Sequence, residues 1–177
     1  MGKITIGKLL FRIARLKILG VFVGIAFAYF PFLIPVRKIE QNKKVVAFRH
    51  PAASYPDHIL IIPRKIARTM FHLSGEDFLE AIEMAMRIRG KDNADFVLVI
   101  NGGKRQDVMQ AHFHLFTGNW VASKGLCTKW DANFLRSKES IGSSLRNILK
   151  RLNVPEEEFS LVFQFENDAD PAACFIL

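Results

Sequence analysis

The run Gln110-Ala-His-Phe-His-Leu-Phe116 alternates at a strict period of two. In an extended chain Gln110, His112, His114 and Phe116 share one face, with successive members roughly 7 Å apart, and Ala111, Phe113 and Leu115 share the other. The period argues for a strand with one side packed into a core. Its other side presents two imidazoles and an amide, and the stretch from Asn101 to Gly118 is therefore where the chemistry is expected.

Residue types limit what that face can do. Two histidines at i and i+2 can supply part of a metal site, yet a catalytic zinc site usually wants a third protein ligand. His50, His58 and His72 stand at no recognisable metal spacing from them. A second chemistry is covalent: one imidazole attacks phosphorus, its neighbour assists the leaving group, and the nucleotidyl-histidine is then hydrolysed. A third possibility is that both rings are core or surface groups satisfied by the backbone. Periodicity leaves all three open.

Three motifs in order carry a family resemblance. Gln106-Asp-Val108-Met-Gln110-Ala-His112-Phe-His114-Leu-Phe116 resembles the signature of the histidine-triad (HIT) superfamily, in which Gln-x-Val precedes three histidines separated by single apolar residues. Upstream, Ala47-Phe48 followed by Pro56-Asp-His58-Ile-Leu-Ile-Ile-Pro63-Arg-Lys65 is similar to that family's first block. Leu98-Val-Ile-Asn101-Gly-Gly103 looks like the strand and turn that lead into the triad. Gln110 occupies the first triad position, so the family's nucleophile falls on His112 and its third histidine on His114. The other register, with His114 as nucleophile, breaks the Gln-x-Val spacing.

The resemblance implies an α+β fold, a five-stranded antiparallel sheet with one main helix, joined into a homodimer with continuous sheets. It implies hydrolysis or transfer at the α-phosphate of a nucleotide-containing small molecule, with no metal and no cofactor. His112 would attack, His114 would assist departure, and His58 would orient an imidazole. Asn101 and Gln110 would hold phosphate oxygens or the nucleophile's tautomer. Asn101, Gly103, Gln106, Phe48 and His50 would bind the nucleotide and its phosphate. His50 stands where many relatives place an aspartate that binds the ribose hydroxyls. Attack needs a neutral imidazole, so an ordinary histidine would lose activity below about pH 6 to 6.5. Two alternatives remain: a CDP-lipid pyrophosphatase-like enzyme at the membrane, since that branch also carries Gln-x-His-Phe-His, and a nucleotide-binding protein whose triad has decayed.

The net charge of +8 suggests nucleic acid until it is located. Residues 1–50 carry ten basic side chains against Glu40 alone, a total of +9, and the remaining 15 basic and 16 acidic side chains total −1. The basic segment lacks aromatics suited to stacking on bases, so no nucleic-acid partner is expected. Ile18 to Val36 is nineteen residues without a charge, flanked by Lys17 and Arg37 and interrupted by Pro31 and Pro35. Residues 1–36 thus read as an anchor on an anionic membrane surface, a helix packed on the domain or a second subunit, or a true span. A HIT-like domain over 37–122 and a C-terminal extension of it over 123–177 complete the division. Cys127 and Cys174, with no CxxC spacing, fit buried thiols in a reducing compartment. The expected location is cytoplasmic, with membrane association through residues 1–36.

Local signals place the elements. Ile39 to Phe48 reads as a hairpin and His58 to Pro63 as a buried strand. Ser74 and Asp77 cap a helix running to Arg89, with Phe78, Ile82, Ala85 and Met86 as its buried stripe. Phe96 to Ile100 delivers Asn101. Trp120 to Phe134 lacks periodicity and reads as a loop. Ile141, Leu145, Ile148, Leu149 and Leu152 predict a helix, and Phe159 to Phe165 a strand.

Overall fold

The computed structural model describes residues 38–51, 53, 57–89, 96–117, 126–129, 141–156, 159–165 and 172–176, together with Phe22, Ile25, Ala26 and Tyr29. Among the described residues eight strands form one sheet in the order β1-β2-β3-β5-β4-β7-β8-β6. They are β1 (Lys38–Gln41), β2 (Val45–Arg49), β3 (Ile59–Pro63), β4 (Phe96–Asn101), β5 (Phe113–Thr117), β6 (Leu126–Lys129), β7 (Ser160–Phe165) and β8 (Ala172–Ile176). Every pairing is antiparallel. The expected five-stranded sheet is β1 to β5, and the C-terminal strands continue it from β4.

The first hairpin closes because Asn42 substitutes for backbone in the turn. Its Oδ1 accepts the Lys44 and Val45 N–H groups, each at 2.8 Å, as turn asparagines do. Helix α1 (Gly75–Arg89) opens on the predicted cap. The Asp77 N–H donates to Ser74 Oγ at 3.3 Å while Asp77 Oδ2 accepts the Ser74 N–H at 2.7 Å, a reciprocal box. Lys65 Nζ meets the same carboxylate at 2.7 Å and ties the segment after β3 to the helix start.

The core lies between α1 and one sheet face. Phe78, Ala81, Ile82 and Ala85 of α1 pack toward Ile61, Phe113, Leu115 and Leu98. The Phe78 and Phe113 rings meet edge to face at 5.2 Å. Burying such a ring contributes about 2 to 3 kcal/mol. Met86 does not join the stripe but stands half exposed, because the buried arc centres between Ala81 and Ala85 and leaves Met86 on its flank. Helix α2 (Gly142–Arg151) packs beside the 3-10 turn Met70–His72 and buries Leu145 and Leu149 in the core. Its entry is pinned by the Ile141 N–H, which donates to the Leu73 carbonyl at 2.9 Å.

Two expectations change here. Part of the stretch read as a loop, Leu126–Lys129, is a strand, paired with β8. Neither β6 nor β8 shows an alternating pattern long enough to announce itself. The triad strand also starts later than its periodicity suggests, at Phe113. The Gln110 N–H turns back onto the Val108 carbonyl at 2.8 Å, so the chain is not extended at Gln110. Most of residues 18–36 lie outside the described residues. Phe22 and Tyr29 are helical and exposed, and among the described residues no helix is long and apolar enough to cross a membrane.

Candidate active site

The sheet face opposite α1 carries the site, and antiparallel register assembles it. Phe48 pairs with Leu60, Leu60 with His114, His114 with Val99, and Val99 with Val162. On one side of that row, Asn101 pairs with Ser160, and His112 precedes β5 by one residue. On the other, the His50 N–H extends the β2–β3 ladder by donating to the His58 carbonyl at 2.9 Å. Alternation then puts all four imidazoles on one face.

His112 is 5% exposed, and its Nδ1 lies 2.7 Å from the Gln110 carbonyl. A carbonyl only accepts, so Nδ1 carries the proton and Nε2 keeps its lone pair. Burial pushes its pKa below the usual imidazole range, against the Gln110 carbonyl and the charge of Asp107, which favour the cation. The His112 and His114 rings meet edge to face with centroids 4.7 Å apart.

His114 belongs to a hydrogen-bonded file. Its Nδ1 lies 2.8 Å from His58 Nε2, and its Nε2 lies 3.5 Å from the Asn101 amide nitrogen. The Ser160 hydroxyl donates to Asn101 Oδ1 at 2.7 Å. Read in one direction, Ser160 donates to Asn101, Asn101 to His114, and His114 to His58. Burial, and then the neighbouring imidazoles His112, His58 and His50, hold the His114 pKa down to about 2. His58 is lowered to about 4, again first by burial and then by His50 and His112. The rings of His50 and His58 stack at 4.3 Å, and Phe116 packs on His58 at 4.4 Å. A second positive charge in this file would be poorly solvated and repelled, so at neutral pH His58, His112 and His114 are neutral.

The structure brings His50, His58, His112, His114 and Asn101 together. Phe48 is buried in the His114 row, and Gly103 adopts φ 54° just past Asn101 in a single 3-10 turn, Gly103–Arg105. The two glutamine side chains are elsewhere. Gln110 is 1% exposed and faces the segment after β3: its Oε1 accepts the Ala67 N–H at 3.2 Å and its Nε2 donates to the Lys65 carbonyl at 2.9 Å. The tautomer role expected of that side chain falls to its backbone carbonyl instead. Gln106 Nε2 donates to the Arg68 and Val108 carbonyls, and its Oε1 is buried without a partner, so the side chain is oriented by the turn. Ser160 was not anticipated. The signal in the sequence was a hydroxyl on the buried alternate row of the strand Phe159 to Phe165. Among the described residues no cluster of three or more His, Cys, Asp or Glu is arranged to hold a metal ion.

Residues 33–120 match the HIT domain family. An uncharacterised HIT-like protein of Chlamydia trachomatis is 29% identical over 93 residues, covering 49% of this chain and 84% of the relative. An uncharacterised HIT-like protein of Buchnera aphidicola is 27% identical over 95 residues, with the same two coverages. Among solved structures, yeast Ap4A phosphorylase Apa2 in complex with Ap4A superposes with a TM-score of 0.53 at 7% identity, over 77% of this chain and 58% of that one. At that identity the likeness is one of fold.

Proposed function

Because the chain belongs to the histidine-triad superfamily through the HIT domain at residues 33–120, we propose that it hydrolyses or transfers nucleotides at an α-phosphate through a covalent nucleotidyl-histidine. One observation carries the reading: the Nδ1–H of His112 is committed to the Gln110 carbonyl at 2.7 Å, which leaves Nε2 as a lone pair on a neutral ring. Attack forms the Nε2–P bond and breaks the bond from phosphorus to the leaving group. The ring becomes cationic as it bonds phosphorus, and the carbonyl at Nδ1 and the charge of Asp107 favour that cation. His114 stands beside it to serve the departing group and, in the second half, the incoming water. Lys104 and Arg105 follow Gly103, where a positive-φ glycine lets backbone approach an anion.

The test compares wild type with His112→Ala and His112→Asn. Each is incubated with radiolabelled nucleotide phosphoramidate, dinucleoside polyphosphate or CDP-lipid in vesicles, then quenched and examined for a labelled adduct. An adduct on wild type that both variants lack supports the reading, and the best labelling substrate names the class. Nucleotide binding without adduct or turnover defeats it and leaves a binding protein with a decayed triad. A membrane-presented CDP-lipid is the second reading. It rests on the exposed helical rings of Phe22 and Tyr29 within the uncharged stretch between Lys17 and Arg37.

A further inference from the structure

Asn101 ends β4 and opens the Asn-Gly-Gly turn, a position where a carboxamide ordinarily has rotamers to choose from. The first residues of β7 remove that choice. The Ser160 hydroxyl donates to Asn101 Oδ1 at 2.7 Å, and the next peptide is held by the Gly102 N–H, which donates to the Phe159 carbonyl at 2.9 Å. Ser160 is 5% exposed, so water competes poorly for its hydroxyl. With Oδ1 occupied as acceptor, the amide NH2 is turned to His114 Nε2 at 3.5 Å. A donor there requires a lone pair on Nε2. The ring proton then sits on Nδ1 and is given to His58 Nε2 at 2.8 Å.

We infer that Ser160 is a positioning residue: through Asn101 it fixes the His114 tautomer whose Nε2 lone pair accepts a proton from the water that hydrolyses the nucleotidyl-histidine. The inference rests on the covalent reading above and assigns one half of that reaction. The water oxygen bonds to phosphorus, and the P–N bond breaks with its electron pair returning to His112 Nε2. The water takes the place of the Asn101 N–H at His114 Nε2, its proton passes to that lone pair, and the imidazolium so formed shares its Nδ1–H with His58. Ser160 lies outside residues 33–120, so this chain's C-terminal strand supplies a part of the site that the HIT segment lacks.

Two measurements on the full chain test this. Nitrogen-15 NMR of labelled histidines reads the tautomer of each imidazole, with no substrate present. His114 is expected as Nδ1–H in wild type and as a mixture, or as Nε2–H, in Ser160→Ala. Rapid-quench kinetics then separates adduct formation from adduct breakdown. Ser160→Ala should slow breakdown by roughly ten-fold or more, so that adduct accumulates, while formation changes by less than about two-fold. A wild-type His114 protonated on Nε2 overturns the inference whatever the variant does. So does a Ser160→Ala protein with the wild-type tautomer, or one in which both halves slow equally. A wild type that forms no adduct defeats the covalent reading and the step assigned here with it. The tautomer measurement separates that outcome from a failure of Ser160 to set the ring.

Discussion

At the residue scale the site depends on keeping imidazoles neutral, and burial does that here. An isolated histidine begins to protonate near pH 6.5, which would cost the nucleophile its lone pair. His112 is pushed below that range, His58 to about 4 and His114 to about 2, each chiefly by burial. A lowered pKa means that the neutral form persists to more acidic pH. The expected loss of activity below pH 6 to 6.5 therefore moves downward. The rate of adduct formation should keep its plateau through pH 6 to 6.5 and fall only on the acid side of that range. Stopped or quenched single-turnover rates across that range check it, and an acid limb centred at pH 6.5 would show that the rings are more solvated than their packing indicates. The residue types and spacing at 112 and 114 were legible because they are a local pattern, and His58 through the family resemblance of the block that holds it. The tautomers were not, since they depend on the Gln110 carbonyl and on Asn101, which only the folded chain brings to those nitrogens.

At the element scale, the sequence pattern located strands by alternation and was misled where the chain is not extended. Gln110 sits at the right spacing to join the His112 face, but the turn onto Val108 rotates it under residues 65–67. Its substitution should therefore act on stability first. Gln110→Ala leaves the Ala67 N–H and the Lys65 carbonyl without their partner in a buried place, at a cost of about 2 to 4 kcal/mol. Thermal melting of the variant reads that loss. A protein that melts at the wild-type temperature but no longer turns over would return Gln110 to the chemistry. The turn after β4 makes a second case. A Cβ on Gly102 would lie 2.8 Å from Phe159 Cε1 and 3.2 Å from the Met70 methyl, and the ring of Phe159 is fully buried. Gly102→Ala should destabilise by about 1 to 3 kcal/mol through displacement of that ring. Phe159→Leu in the same chain should recover part of the loss, and no recovery would place the strain elsewhere. The helices were found accurately, because Ile141, Leu145 and Leu149 repeat over more than two turns. β6 was missed because it is short and pairs with β8, distant in sequence, and β8 because its five residues do not alternate.

At the scale of the whole molecule, the question is what folds as one unit. The relatives match 49% of the chain, and the HIT segment ends at residue 120, yet the core does not divide there. β7 covers the whole length of β4, with Phe96 opposite Phe165 and Asn101 opposite Ser160. Among the described residues the edges of the sheet are β1 and β6, so a homodimer with continuous sheets would join at one of those and not at β4. Phe159, Leu161 and Phe163 are each fully buried in the same core as α1. Removing three such side chains withdraws roughly 6 kcal/mol or more of burial, comparable to the net stability of a domain this size. It also exposes the β4 ladder as an open edge. A chain truncated after residue 158 should therefore lose its cooperative melting transition or, where it stays folded, associate through β4 into larger species seen by light scattering. It should also take the Ser160 hydroxyl from Asn101 Oδ1 and the Phe159 carbonyl from the Gly102 N–H, so that any adduct a folded remnant forms breaks down slowly. If the truncated chain instead melts like the full protein and keeps its oligomeric state, the HIT segment with α2 is self-sufficient. The C-terminal strands would then be an addition to the fold without being part of its foundation.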